Sequence, residues 1–205
     1  MLFNASDQQK ISSAAQIIKN GGVVAFPTHS LYGMAADALN PQAVEKIFRL
    51  KNRDLKNPLL ILIHDVRQLD DLVKRIPDAA RRLMDTFWPG CVTLVFEASG
   101  HLPDNLTSKT GKIGIRLAGH PAARMLAEAA GSPLTGTSAN LTGQPGCRDI
   151  SNLNPVLKAS LDLILDAGLL KEEGASTVVD ITGDKPVIIR EGRISQPDIF
   201  AALKN

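Results

Sequence analysis

Cysteine is scarce in this chain: two among 205 residues, Cys91 and Cys147, far apart and without a CxxC or Cys/His spacing. A zinc site or a redox pair is thereby set aside, and both residues read as small buried or half-buried side chains. Aromatics make up only 4%, with one Trp, one Tyr and six Phe. A surface that recognises nucleic acid by base stacking needs more of them, and several of these lie in core-like runs. The longest apolar run is residues 59–63, far short of the roughly 20 residues of a membrane helix. The N-terminal stretch MLFNASDQQKISS carries an acid and lacks a basic start and a long apolar centre, so a signal peptide is not expected and the protein should stay in the cytoplasm, with no membrane partner.

Charge of one sign is also missing. The net charge is +2 and the pI near 8.6, weaker than the basic character expected where phosphate-backbone contacts dominate binding. Any cationic function must come from local clustering. Familiar nucleotide and hydrolase signatures are absent as well: no GxxxxGK[ST], no GxGxxG after a strand, no HExxH, and no GxSxG, because Ser138 sits in GTSAN without the second glycine. A serine hydrolase on Ser138 would lack both the elbow and a placed His/Asp pair.

What is there is an ordinary globular composition, 44% hydrophobic and 21% charged, with 16 Gly and 12 Pro dispersed along the chain. One domain over residues 1–205 is expected, large enough to bury a core without staples. Helical spacing of apolar residues predicts a helix over 7–20 that ends at Asn20-Gly21-Gly22, and GGVVAFP then reads as a strand stopped by Pro27. PTHSLYG reads as a loop. Further helices are predicted over 41–50, 66–75 and 77–87, and one from HPAARMLAEAA closed by Gly131. LLILI, CVTLVFEA, GKIGIRL, PLTGTSAN and LDLILDAG supply strands, residues 100–111 a surface loop, and QPDIFAALK a terminal helix. STVVDIT and KPVIIREG flank Gly183-Asp184, a hairpin signal. Alternating helices and strands with a late hairpin predict an α/β fold with a mixed sheet.

Candidate chemistry gathers in a few places. RLKNRDLKNPLLILIH sets Arg49, Lys51 and Arg53 at alternate positions before a buried strand. At a helix end they would offset the dipole, for a few tenths to ~1 kcal/mol. With extended backbone, Lys51 and Arg53 would share a side next to a strand end, where a polyphosphate could sit. LTGTSANLTGQPG is long in uncharged hydrogen-bonding residues interleaved with glycines, which suits either a plain polar loop or close backbone approach to a ligand. Arg116 in IGIRL and Arg190 in VIIREG read either as edge-strand charges or as carboxylate and phosphate binders. His29, with no acid or nucleophile in its pattern, reads as a surface or structural residue.

FPTHSLYGMAADA, KNRDLKNPLLILI, WPGCVTLVF, IGIRLAGHP, GTSANLTGQPGCRD and STVVDITGDKPVIIREG together, in this order and across about residues 11–195, resemble the YrdC/YciO family. The family often shows PTET and KxRP where this chain has His29 after Thr28 and Asp54 after Arg53. The resemblance implies a YrdC-like fold, a twisted mixed sheet flanked by helices with a positively charged concave face. It also implies a nucleotidyltransferase activity, L-threonylcarbamoyladenylate synthase. L-threonine, bicarbonate and ATP, with Mg2+ accompanying the ATP, would give threonylcarbamoyl-AMP and pyrophosphate. The product would feed downstream tRNA threonylcarbamoyltransferase machinery that modifies tRNA adenosine 37.

The family's Lys-x-Arg plus Ser-x-Asn tetrad is matched by Lys51, Arg53, Ser138 and Asn140. On that basis Arg49, Lys51 and Arg53 would face the phosphates. Thr28, Ser30, Arg116 and Ser176 would hold threonine, and Gly136 and Arg190 the nucleotide; no protein metal site is expected. The alternative is a maturation factor that binds tRNA or double-stranded RNA without its own chemistry.

Overall fold

The computed structural model describes residues 5–204, with side chains from Asp7 onward, so part of the N-terminal stretch read for targeting lies outside the described residues. The elements in chain order are α1 (Ala5–Lys19), β1 (Val24–Pro27), β2 (Tyr32–Ala35), α2 (Pro41–Lys51), β3 (Ile61–Ile63), α3 (Leu69–Leu72), α4 (Asp78–Phe87), β4 (Val92–Glu97), α5 (Asp104–Thr107), β5 (Lys112–Leu117), α6 (Pro121–Ala130), β6 (Leu134–Thr135), β7 (Thr137–Ser138), α7 (Pro155–Ala159), β8 (Leu163–Ile164), β9 (Thr177–Asp180), β10 (Val187–Arg190) and α8 (Gln196–Ala202).

The strands form two mixed sheets. One has the order β7-β2-β1-β8, the other β10-β9-β4-β5-β3-β6. In the first, β1 runs antiparallel to β2 and parallel to β8. In the second, β5 lies between antiparallel β4 and parallel β3, and β9 pairs parallel with β4 and antiparallel with β10. The predicted late hairpin is therefore present, joined by residues 181–186.

Local chemistry explains most boundaries. Helix α2 starts where Asn40 accepts hydrogen bonds from the N–H groups of Gln42 and Ala43, and Pro41 fills the first turn without losing a needed donor. It ends at Asn52, whose φ of +50° reverses the chain in the left-handed region. Helix α6 ends likewise at Gly131, φ +70°.

Three expectations fail for identifiable reasons. The PTHSLYG loop is only the turn 28–31, closed by the Thr28 N–H on the Leu31 carbonyl at 3.1 Å, because Tyr32 and its successors form β2. That strand reads YGMA, without a branched residue, and is placed by burial rather than propensity: all four residues are buried. The helix predicted over 66–75 stops at Leu72, where Val73 becomes extended and bridges Ala98 at the end of β4. The 100–111 loop contains the short α5.

The core lies in two clusters. Ile11, Ala14 and Ile18 of α1 pack with Ala123, Leu126 and Ala127 of α6 over Phe26 and Leu62. The larger cluster joins Val44, Ile47 and Phe48 of α2 to Ile61, Leu94, Phe96 and Ile115 of the six-stranded sheet. The chain passes from one sheet to the other at Gly136: Thr135 pairs with Ile61 and Thr137 with Met34. A Cβ at Gly136 would lie 2.3 Å from Leu60 Cδ1, so any larger residue at the crossing would have to displace that side chain.

Candidate active site

The two sheets face each other across a cleft of about 570 Å³, within the range of small-molecule sites. Phe26, Tyr32, Gly33 and Ser138 contribute from the four-stranded sheet, and Thr93, Gly114, Arg116 and Val178 from the six-stranded sheet. Its charged lining is Arg53, Lys112, Arg116 and Arg190 against a single acid, Asp180. Asp180 is paired with Lys112 at 2.8 Å. The cleft therefore carries an uncompensated positive excess, which favours an anionic ligand.

At one end, the C-terminus of α2 meets the loop after β7. Lys51 is 2% exposed, and its ammonium donates to the Ser138 carbonyl at 2.6 Å, the Asn140 carbonyl at 2.7 Å and Asn140 Oδ1 at 3.0 Å. An ammonium has three N–H donors, so none is left for a phosphate. Burial first, then Arg53, pushes its pKa down to about 8, while the three acceptors favour the charged form. Asn140 is equally engaged: Oδ1 accepts from Ser138 Oγ, and Nδ2 donates to the carbonyls of Leu141 and Gln144 at 3.0 and 2.6 Å. The Thr142 N–H returns to the Lys51 carbonyl at 2.9 Å.

Lys51 and Asn140 thus form a clasp that holds the loop. Arg53 differs. Its Nε and Nη2 donate to the carbonyls of Asn57 and Pro58, each at 3.0 Å. Of five guanidinium donors three stay free on a side chain fixed at the cleft wall. Arg49 points away: its side chain is 71% exposed and pairs with Glu45 at 2.8 Å, which is the helix-end reading of that cation.

At the other end a recess of about 30 Å³ opens off the cleft, sharing Thr28, Ser30, Leu62, Arg116 and Ser176 with it. Arg116 sits on β5, an interior strand rather than the edge strand one reading allowed. It makes no hydrogen bond or ion pair among the described residues, and burial, then the nearby Arg190, lowers its pKa against an opposing effect of Cys91. A half-buried, unpaired guanidinium is primed for a carboxylate. Ser176 Oγ lies 3.1 Å from Thr93 Oγ1, and Arg190 donates to the Ser176 carbonyl through Nε at 3.2 Å and Nη2 at 2.8 Å. Arg190 therefore stands beside Ser176, which lines both the cleft and the recess. Thr28 Oγ1 donates to the Leu31 carbonyl at 2.6 Å and so shapes the turn that presents Ser30.

Two cleft residues were not assigned to the site from the sequence. Lys112 shares a strand face with Arg116, and the period of two in KIGIRL already contained that signal. His29, read from the sequence as a surface or structural residue, lines the recess with His120; its one signal was the departure from PTET.

Comparison with known proteins finds the same fold elsewhere. Residues 16–192 match the Sua5/YciO/YrdC family model, described as "Telomere recombination". The chain is 36% identical over 94% of its length to a threonylcarbamoyl-AMP synthase of Pyrococcus abyssi, covering 57% of that protein. It is 35% identical over 97% of its length to a threonylcarbamoyl-AMP synthase of Bacillus subtilis, covering 58% of it. The chain thus spans less than three fifths of the length of these curated relatives. Among solved structures, that of P. abyssi Sua5 complexed with L-threonine matches with a TM-score of 0.91 at 35% identity, over 95% of this chain and 57% of that one. E. coli YciO matches with a TM-score of 0.84 at 29% identity, over 94% and 93% of the respective chains.

Proposed function

The chain belongs to the Sua5/YciO/YrdC family, and from that premise we propose that it makes threonylcarbamoyl-AMP and pyrophosphate from L-threonine, bicarbonate and ATP, a nucleotidyl transfer for tRNA modification in the cytoplasm. The observation that carries the proposal is convergence. Arg53, Ser138, Arg116, Ser176 and Arg190, drawn from five separate stretches of sequence, line one cleft.

The chemistry suits that cleft. Amino acid, bicarbonate and triphosphate all bring negative charge, so repulsion must be cancelled before the carbamate can attack the α-phosphorus. Arg53 faces the phosphates. Arg116 takes the amino-acid carboxylate beside Ser30, Ser176 and Arg190. Ser138 and the backbone at Gly136 orient the reacting carbamate and α-phosphate, and Lys51 acts through the loop it clasps. No covalent enzyme intermediate is needed, because alignment alone can contribute ~7 to 11 kcal/mol when geometry is good.

Mg2+ enters as part of the MgATP substrate. Among the described residues no group of three His, Cys, Asp or Glu could hold a metal, and the carboxylate lining the cleft, Asp180, is already paired with Lys112. The test is incubation with labelled bicarbonate, threonine and ATP. An adenylate carrying both label and amino acid, with one pyrophosphate released, is the expected result; pyrophosphate release independent of threonine and bicarbonate would contradict it.

A further inference from the structure

The recess beside Arg116 contains a pair of histidines that the roles above leave idle. His29 and His120 meet edge to face, ring centroids 5.7 Å apart and planes at 74°. His120 is fixed: its Nδ1 accepts the Ala122 N–H at 3.2 Å and caps α6. His29 packs against Gly119, where a Cβ would come within 2.7 Å of Nε2, so the ring fits only because that position is glycine. Among the described residues neither nitrogen of His29 has a hydrogen-bond partner. A half-buried imidazole with two unengaged nitrogens lines the same small recess as Arg116, Thr28, Ser30 and Ser176.

We propose that His29 is a catalytic residue: its imidazole accepts the proton that the amino acid's nitrogen sheds as it bonds to the carbon of CO2. The inference rests on the reading that the amino acid lies at this end of the cleft with its carboxylate on Arg116. The nitrogen lone pair attacks the carbon, the N–C bond forms, and one C=O electron pair moves onto oxygen. The nitrogen is then positively charged. One N–H bond breaks, its electrons stay on nitrogen to leave the N-carboxylate, and the proton passes to His29 and later to solvent. The CO2 comes from bicarbonate, which takes up one proton and loses water in solution, and no oxidant or reductant is required. The bound amino acid must arrive as the free amine, having lost its ammonium proton to water, and the cations around the recess favour that form.

Burial, helped by nearby cations, keeps the acceptor in its basic form. Burial lowers the pKa of His29, Glu173 opposes that, and Arg116 and Arg193 reinforce it. Glu173 is itself engaged by Arg193. His120 is neutral near pH 7, its pKa lowered to about 4 by burial and by His29, and Cys91 completes the wall. An imidazole held neutral beside a reacting amine is in the state a general base needs.

The test compares wild type with His29→Gln and His29→Ala. Two rates are followed: entry of 13C from CO2 into the N-carboxylate of enzyme-bound threonine without ATP, by exchange NMR, and formation of the complete adenylate. Both should fall about a hundredfold in the variants at pH 7, with threonine affinity within about threefold of wild type. Added imidazole should restore His29→Ala by about tenfold or more, in proportion to its free-base fraction. The acidic limb of the wild-type pH profile should vanish in His29→Gln. A His29→Gln rate equal to wild type, or lost threonine binding without imidazole rescue, overturns the inference. Carboxylation that depends on His29 in a protein that makes no adenylate would sustain it while removing the proposed function. Absence of both reactions in wild type removes both.

Discussion

The two ends of the cleft treat their cations in opposite ways. At the α2 end, Lys51 is buried with three acceptors on its three protons. At the recess, Arg116 lies half-buried with no partner among the described residues. A buried charge is tolerable when it is satisfied, and an unsatisfied one is retained where a ligand will complete it. On the proposed function Lys51 belongs to the scaffold and Arg116 to the substrate, although both entered the sequence reading as ligand-facing cations.

Substitutions can break or sharpen that contrast. The largest expected effect is Arg116→Met, which should lower kcat/KM for threonine about a thousandfold, comparable to losing a strong preorganised contact, while the unfolding midpoint in urea changes little. Arg53→Met should lower adenylate formation by roughly a hundredfold at nearly unchanged stability. Lys51→Met should show the reverse pattern. Stranding three acceptors should destabilise the fold by about 3 kcal/mol, read as a lower urea midpoint, and activity should fail with the loop rather than through triphosphate affinity.

A smaller effect separates the histidines. The His120 pKa is lowered to about 4 in the folded protein, against an ordinary value of 6.5. The unfolded chain thus binds more protons between those values, and stability falls as pH drops from about 6.5 to about 4. Discounted for partial exposure, the loss should be about 1–2 kcal/mol. His120→Asn, which can still cap α6, should flatten that part of the curve. The smallest effect is Lys112→Met at the half-exposed pair with Asp180, worth less than about 1 kcal/mol.

Much of this was legible in the chain. Helices α1, α2, α4, α6 and α8 announce themselves by period and by caps such as Asn40-Pro41 and Gly131, and the β9–β10 hairpin by Gly183-Asp184. Strand β2 was not legible, because Tyr-Gly-Met-Ala has little strand propensity beyond Tyr32 and is fixed by its partners: the neighbouring Pro27 to Val24 on one side and the remote Ser138 and Thr137 on the other.

The site divides along the same line. That Lys51, Arg53, Ser138 and Asn140 belong together was visible as a motif set. Which of them touch the ligand was not, since that depends on how many donors the fold uses up. Arg116 could be read as an edge charge or as a carboxylate binder until the sheet order put β5 inside. His29 stood out only as a departure from PTET, and its role was not legible because its recess is made by residues such as Arg116, Gly119 and Ser176, remote in sequence.

The most direct test is a crystal structure of the protein with L-threonine and a non-hydrolysable ATP analogue. The account predicts the amino-acid carboxylate on Arg116, the phosphates within reach of Arg53, and the Lys51 ammonium still bound to Ser138 and Asn140. A Lys51 swung out onto the phosphates, or threonine seated away from Arg116, would contradict it.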